Sequence, residues 1–171
     1  MNRLLFLLFC FITSPLCMSQ GLYTVLNSKA DLLNDMITNA INLSCENVVE
    51  FREKTGMKPI ETFYYCLDGC PNVVNDFNSD SIKYNITWFS FYNFDGLPKW
   101  FKNRLKKGLS VNSIYIAVYN STIEIMVINE NIHCERKNHI NRDLTIWNEF
   151  KYCYDDKTCD WILTEVNFNG L

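Results

Sequence analysis

The N-terminal segment constrains the chain more than any other feature, because it predicts the compartment in which the remainder folds. Arg3 precedes an uninterrupted apolar run over residues 4–12. A signal-peptide core spans about 7–15 residues, whereas a membrane-spanning helix needs about 20. Small side chains at Cys17 and Ser19 fit the pocket of a signal peptidase. We therefore predict a signal peptide over residues 1–19 and a secreted, extracellular chain without a transmembrane segment; a retained anchor or a buried first strand is the alternative.

The cysteine count agrees with export. The chain has eight cysteines, and the two that precede the predicted cleavage site leave six: Cys45, Cys66, Cys70, Cys134, Cys153 and Cys159. An even number in an exported chain predicts disulfide bonds between them. Cys153 and Cys159 flank a short predicted turn, so we predict that these two are bonded. The other four would close two long loops, each worth about 3–4 kcal/mol, and the sequence does not choose their pairing.

Three sequences of the form Asn-x-Ser or Asn-x-Thr also fit an exported chain. They begin at Asn42, Asn85 and Asn120. Such sequences accept N-linked glycans during export when the asparagine is accessible. We predict glycosylation at these three positions.

The composition predicts one packed domain. Aromatic residues make up 15% of the chain, while only six glycines and four prolines occur. Residues 20–171 are therefore expected to form a single globular domain with its own apolar core. The formal net charge is −3 and becomes −4 when Arg3 is removed with the signal peptide. This mild acidic balance gives no reason to expect a nucleic-acid partner.

The first half of the mature sequence predicts a long helix followed by two strands. Ser28 is a suitable N-cap, and apolar residues then recur at spacings of three and four until Gly56 ends the helix. Asn42 is a weak helix former, so two helices with a break there are the alternative. Residues 61–67 are rich in aromatics and residues 81–94 alternate between apolar and polar side chains, so each segment predicts a strand.

The second half predicts a short helix and four strands. The helix covers residues 97–107, and the strands cover residues 113–119, 122–129, 144–154 and 159–168, with a polar loop over residues 131–141. This order predicts an α+β fold in which an N-terminal helix packs on a curved antiparallel sheet of about five to six strands, stapled by disulfides. The order is similar to that of the cystatin-like and nuclear-transport-factor-like rolls, and this similarity of topology carries no function.

The short helix is the most distinctive surface feature of the sequence. Five cations and two aromatic residues occur within nine residues, and the candidate partner-binding residues are Lys99, Trp100, Lys102, Arg104, Lys106 and Lys107. Such a cluster is typical of a site for an acidic protein, an anionic surface or a glycan. The alternative is an ordinary amphipathic helix, in which Phe101 and Leu105 pack inward and the lysines are solvated.

The histidines give a weaker indication of chemistry. The chain has two, His133 and His139. One hypothesis makes them zinc ligands together with Cys134, but the paired spacing of a zinc motif is missing. Another makes them an acid–base pair assisted by Lys137. We favour two solvated loop histidines and predict no catalytic or metal site.

Two further groups of residues, a set of aspartates and a set of aromatic residues, are candidate sites. Asp155, Asp156 and Asp160 offer carboxylates for calcium or for acid–base chemistry, but aspartates at this spacing are more typical of a turn. Seven aromatic residues are candidates for lining an apolar pocket on the concave face of the sheet: Tyr84, Trp88, Tyr92, Tyr115, Tyr119, Trp147 and Trp161. Ordinary core packing explains the same residues without a ligand.

These features together predict a non-enzymatic secreted protein that binds an extracellular protein or receptor, with the basic helix as the contact. The first alternative is a carrier of a small apolar ligand in the concavity of the sheet. The second is a secreted hydrolase that uses His133, His139 or the pair Asp155 and Asp156. No nucleophile elbow or phosphate loop occurs in the sequence, and no cofactor is expected.

Overall fold

The computed structural model describes residues 30–68, 81–136 and 139–169. Within these ranges the elements follow in the order α1 (Ala30–Lys54), β1 (Phe63–Cys66), β2 (Ile86–Phe89), a 3₁₀ helix (Phe91–Gly96), α2 (Lys99–Lys107), β3 (Leu109–Tyr119), β4 (Thr122–Arg136), β5 (His139–Asp155) and β6 (Asp160–Asn169). The predicted signal peptide and Cys70 lie outside the described residues. Among the helices that the structure describes, none is long and apolar enough to cross a membrane.

α1 is one continuous helix of 25 residues, without the alternative break near Asn42. Its buried side chains recur at the predicted spacing and face the sheet: Leu33, Met36, Ile37, Ala40, Ile41 and Cys45. The helix ends at Gly56, as predicted, because the φ of 68° there favours glycine. The Gly56 amide donates to the Glu53 carbonyl and the Met57 amide to the Arg52 carbonyl, so the end of the helix keeps its hydrogen bonds.

The sheet is mixed and open. The six described strands lie in the order β2-β1-β3-β4-β5-β6. β1 runs parallel to both of its neighbours, whereas β3 to β6 pair antiparallel. The expectation of a purely antiparallel sheet is therefore wrong. Parallel neighbours need long connections, which residues 67–85 and the segment containing the 3₁₀ helix and α2 supply. The disulfide staples and the cystatin-like or nuclear-transport-factor-like roll stay predictions.

The strand predicted over residues 81–94 is shorter in the structure, where β2 covers only Ile86–Phe89. Four residues of its predicted apolar face, Ile82, Tyr84, Ile86 and Trp88, pack against the core beneath α1. The fifth, Tyr92, lies in the 3₁₀ helix and is exposed, so the prediction is wrong for that residue. The chain then leaves the sheet at Ser90, whose hydroxyl accepts from the Tyr92 amide at 3.1 Å and starts the 3₁₀ helix. A local cap therefore ends the strand before the alternating pattern ends.

The polar segment over residues 131–141 is not the predicted loop. It continues the β4–β5 ladder, with Asn131 opposite Asp143 and Ile132 opposite Arg142. Ile132 and Cys134 are fully buried on one face of β4. The period of two expected for a half-buried strand is thus present, but it is hidden by the polar residues of the other face.

The core has two parts, one on each face of the sheet. The larger cluster lies between α1 and the sheet and includes Ile114, Ile125, Val127 and Phe150. The smaller cluster lies between α2 and the opposite face and is built from Tyr64, Cys66, Phe89, Phe91, Phe94, Phe101, Leu105, Val111, Ile132 and Cys134. The centre of the sheet is therefore buried on both faces, and its strands β1 and β3 contain no charged residue.

We expect Phe150→Ala to lower the free energy of unfolding by about 3–5 kcal/mol, because it leaves a cavity at a fully buried position in the larger cluster. Urea denaturation of the purified protein measures this change. Tyr92→Ala is the control, since the Tyr92 side chain is 84% exposed and its loss should change stability by less than about 0.5 kcal/mol. Equal losses for the two variants would contradict the described core.

Candidate functional site

α2 is placed by its two ends and by its apolar face. The Pro98 carbonyl accepts from the Phe101 and Lys102 amides, each at 3.0 Å, and begins the helix. Gly108 ends it with a φ of 92°, and its amide donates to the Leu105 carbonyl at 3.3 Å. These ends fix the helix on the sheet and orient its remaining faces.

Phe101 and Leu105 are buried against the sheet, as the amphipathic interpretation predicted. The Phe101 ring lies 4.9 Å from the Phe89 ring and 5.5 Å from the Tyr64 ring, measured between centroids. Burial of two such side chains stabilises the docked helix by about 1.5–3 kcal/mol each. The cations of α2 are therefore presented on a fixed support.

Two of the five cations of α2 are engaged by the protein itself. The Lys102 Nζ donates to the Asp95 carbonyl at 2.8 Å and lies 5.5 Å from the centre of the Phe94 ring. The Arg104 guanidinium lies between the rings of Tyr64 and Trp100, 5.9 and 5.8 Å from their centres, and donates to the Tyr64 hydroxyl. Cation–π contacts of this kind hold the guanidinium in one position.

The other three cations, Lys99, Lys106 and Lys107, are exposed. Within the described ranges they make no ion pair; the ion pairs that occur there join Glu50, Glu124 and Glu130 to other cations. Lys106 and Lys107 lie in the last turn, where the negative end of the helix dipole favours positive charge. These three charges are available to a partner.

Trp100 completes a surface that we call the α2 surface, made of Lys99, Trp100, Arg104, Lys106 and Lys107. The indole is 53% exposed although it is large and apolar. It borders an open polar hollow of about 410 Å³ that is also lined by Arg104, Tyr64, Glu61, Thr62 and Pro59. The α2 surface contains donors, charge and an aromatic plane but no nucleophile, so its chemistry is that of binding.

The two histidines lie on the β4–β5 hairpin, which pairs His133 with Asn141 and Arg136 with His139. His133 is half-buried and His139 is exposed. Among the residues that the structure describes, no group of three His, Cys, Asp or Glu side chains is arranged to hold a metal.

The aspartates at the β5–β6 turn are used by the turn. Asp155 accepts from the Lys157 amide at 3.0 Å and from the Thr158 hydroxyl at 3.2 Å, and Asp160 accepts from the Trp161 amide at 2.8 Å. This is the hydrogen bonding that makes aspartate favourable in turns. It supports the turn interpretation over an acid–base pair.

The seven aromatic candidates do not line one pocket. Tyr84, Trp88 and Trp161 pack on the core beneath α1. Tyr115 follows the buried Ile114 in β3, so strand alternation places it on the opposite face, and Tyr119 and Trp147 lie on that face by the same register. The structure therefore divides this set between the two sides of the sheet.

No disulfide joins two of the five cysteines in the described ranges. Cys153 lies opposite Ile162, and its sulfur accepts from the Thr164 hydroxyl at 3.4 Å. Cys159 lies in the turn itself with a φ of 54°. The predicted pair thus flanks one turn but does not occupy facing positions of the ladder, and its bond stays a prediction.

The three predicted glycan acceptors differ in their surroundings. Asn120 is exposed at the tight β3–β4 turn, where its φ is 47°. Asn85 is exposed, and its Nδ2 donates to the Thr62 hydroxyl at 3.0 Å. Asn42 holds the segment before β2, since its Nδ2 donates to the Ser81 carbonyl and its Oδ1 accepts from the Lys83 amide.

Sequence reasoning missed a set of buried polar residues between α1 and the sheet. Ser44, Asn112 and Asn148 are each less than a tenth exposed. Asn129 lies beside them, where it hydrogen-bonds to Asn112. One sequence signal could have revealed this set: β3, β4 and β5 each have an asparagine, namely Asn112, Asn129 and Asn148, at a position where strand alternation predicts an apolar residue.

Comparison of the chain with known protein families, with curated proteins and with solved structures finds no match. The function must therefore be argued from the side chains themselves, and the α2 surface is the arrangement that offers most to a macromolecular partner.

We expect the Cys45 thiol to be nearly inert in the folded, reduced protein. Burial raises the pKa of Cys45 from 9.0 to about 12, and the hydrogen bond with the Tyr65 hydroxyl offsets this only in part. At pH 8 the reactive thiolate at Cys45 should be rarer by a factor of about 1000 than in an unperturbed cysteine. Timed iodoacetamide labelling followed by peptide mass analysis measures the rates, with the exposed Cys159 as the internal control. Equal labelling of both cysteines would contradict the burial of Cys45.

Proposed function

We propose that the chain is a secreted, glycosylated and disulfide-bonded protein, without enzymatic activity, that binds an extracellular protein through the α2 surface. The observation that carries this proposal is the placement of three exposed lysines around an exposed tryptophan on a helix that is anchored in the core. The expected partner surface is acidic.

Charge segregation supports an acidic partner. α2 holds five of the 16 lysines and arginines and no acidic residue, which leaves eleven cations against 19 acidic residues elsewhere in the chain. A local positive surface on a mildly acidic protein attracts a negatively charged partner and disfavours positively charged ones. Lys99, Lys106 and Lys107 would therefore set the rate of encounter and its salt dependence.

The centre of the α2 surface supports affinity as well as attraction. Trp, Tyr and Arg are the residues most often responsible for binding energy at protein interfaces. Arg104 is already held between Tyr64 and Trp100, so binding would order few additional side-chain torsions there. The lysines would form a polar rim around this pre-arranged centre.

A secreted chain folds in an oxidising compartment, where its cysteines form disulfide bonds. Cys153 lies near the end of β5 and Cys159 lies in the turn that follows, so these two cysteines are close along the chain. We propose a Cys153–Cys159 bond and two further bonds among Cys45, Cys66, Cys70 and Cys134. Peptide mapping of the secreted protein without reduction reads out these bonds directly.

We expect simultaneous replacement of Lys99, Lys106 and Lys107 by glutamate to weaken partner binding by about tenfold or more, because it turns attraction into repulsion at the rim. The matched control replaces the exposed Lys58, Lys83 and Lys157 by glutamate, which changes the net charge equally. The wild-type protein and both variants are immobilised and exposed to extracellular fluid. The protein captured by wild type is then purified, and its affinity for wild type and for each variant is measured by titration.

Equal binding by the α2 variant and the control variant would reject the α2 surface as the contact. A different outcome is that wild type and the control variant are retained on immobilised heparin but bind no protein selectively. That outcome would assign the α2 surface to a glycan instead. Trp100→Ala separates the apolar contribution to binding from the electrostatic one. Loss of the apolar Trp100 side chain should raise the dissociation rate of the complex and have little effect on the salt dependence of binding.

Export and glycan placement are tested on protein secreted by a eukaryotic host. We expect the mature chain to start at Gln20 and the glycan occupancy at Asn120 to exceed that at Asn42. A glycan on the Asn42 Nδ2 would remove its bond to the Ser81 carbonyl, whereas Asn120 lies exposed at a turn. Peptide mass mapping measures both. A retained segment 1–19, or occupancy at Asn42 with none at Asn120, would contradict these expectations.

A further inference from the structure

A second candidate site, independent of the α2 surface, lies between the C-terminal half of α1 and the sheet. It is a cleft of about 310 Å³ whose apolar walls include Val48, Phe51, Ile60, Phe63, Leu109 and Ile146. Small-molecule pockets begin at about 300 Å³, and an apolar cavity of about 150 Å³ accommodates benzene. The cleft therefore has the size and lining of a site for one small apolar molecule.

The inner end of this cleft is polar. A smaller chamber of about 10 Å³ shares walls with the cleft at Val48, Phe63 and Ile146. Ser44 and Asn148 also line this chamber, and each is only 3% exposed. The Ser44 Oγ and the Asn148 Oδ1 have no hydrogen-bond partner among the residues that the structure describes. An unpaired buried polar group costs about 1–3 kcal/mol, so two of them in one chamber need an explanation.

The neighbouring amides do not supply that partner. The Asn129 Nδ2 donates to the Asn112 Oδ1 and to the Ser110 Oγ, each at 2.9 Å. The Asn112 Nδ2 is directed to the Tyr64 carbonyl at 3.5 Å. These bonds of the Asn129 and Asn112 amides do not include the Asn148 Oδ1, which is a buried acceptor on a residue that lines the chamber.

The chamber selects the chemistry of the group that enters it. About 10 Å³ is the room that a single water-sized oxygen needs, so a hydroxyl fits and a carboxylate does not. The Asn148 Oδ1 accepts and therefore requires a donor, while the Ser44 hydroxyl can donate or accept. Burial also raises the pKa of Cys45 and Tyr65 beside the chamber, which shows that negative charge is disfavoured there.

We propose that the cleft binds a small apolar molecule that carries one hydroxyl group. Its apolar body lies between α1 and the sheet, and its O–H enters the chamber, donates to the Asn148 Oδ1 and accepts from the Ser44 hydroxyl. Scaling from benzene gives a ligand of roughly twelve non-hydrogen atoms. The exposed Met57 lines the mouth, where its flexible side chain can adapt to ligands of different outline.

The test compares para-butylphenol with butylbenzene, which differ only in the hydroxyl. Isothermal titration calorimetry on the full protein should show the phenol binding about tenfold more tightly. The double variant Ser44→Ala and Asn148→Leu removes both contacts of the ligand hydroxyl, and it should equalise the two affinities. The same variant should melt at or above the temperature of wild type, because it also removes an unpaired buried acceptor. Retained preference for the phenol in this variant would overturn the proposed contact.

Val48→Trp fills the cleft and should abolish binding of both probes, whereas Ile162→Trp, at an exposed position of β6, should leave both affinities unchanged. If the Val48 variant does not fold, nuclear Overhauser contacts from the phenol ring to the methyl groups of Val48 and Ile146 in wild type decide the location. Contacts elsewhere, equal affinities of the two probes for wild type, or no binding at about 1 mM would each overturn the proposal.

Discussion

The two-sided burial of β1 is the constraint on which the rest of the structure depends. All four of its residues are buried: Phe63 and Tyr65 belong to the cluster beneath α1, and Tyr64 and Cys66 belong to the cluster beneath α2. A strand buried on both faces must lie inside the sheet, and β1 accordingly lies between β2 and β3. Its parallel pairing then obliges the chain to cross over the sheet. That crossover carries α2, so the position of the cationic helix is a consequence of the burial of β1.

The two candidate sites lie mainly on opposite faces of this strand and share Tyr64, which contacts Arg104 and also lines the cleft. Tyr64 packs on Phe101 and holds Arg104 on the α2 side, while Phe63 forms a wall of the cleft on the α1 side. Because successive strand residues alternate between faces, four residues in a row support two unrelated chemistries. The α2 surface is charged, open and suited to a macromolecule, whereas the cleft is mainly apolar, partly open and suited to a small molecule.

Local patterns predicted the elements better than their pairing. The period of α1, its end at Gly56 and the inward direction of Phe101 and Leu105 all follow from signals within a few residues, and the structure confirms them. The parallel pairing of β1 depends on contacts between distant segments, for which a single sequence gives no local signal. The engagement of Lys102 and Arg104 was equally invisible, because their partners Asp95 and Tyr64 are brought to them by the fold. Periodicity separates buried from exposed residues, but it does not separate occupied from available cations.

The two candidate sites also differ in how much they lower the stability of the folded protein. An exposed lysine costs almost nothing, so Lys99, Lys106 and Lys107 persist whether or not a partner uses them. A buried, unpaired acceptor costs about 1–3 kcal/mol out of a total stability of about 5–15 kcal/mol. Ser44 and Asn148 place two such groups in one chamber at the interface of α1 and the sheet. The cleft therefore differs from the helix in weakening the core, although the cations of the helix are the more conspicuous feature of the sequence. In the proposed complex, one ligand hydroxyl supplies the hydrogen bonds that Ser44 and Asn148 lack among the described residues.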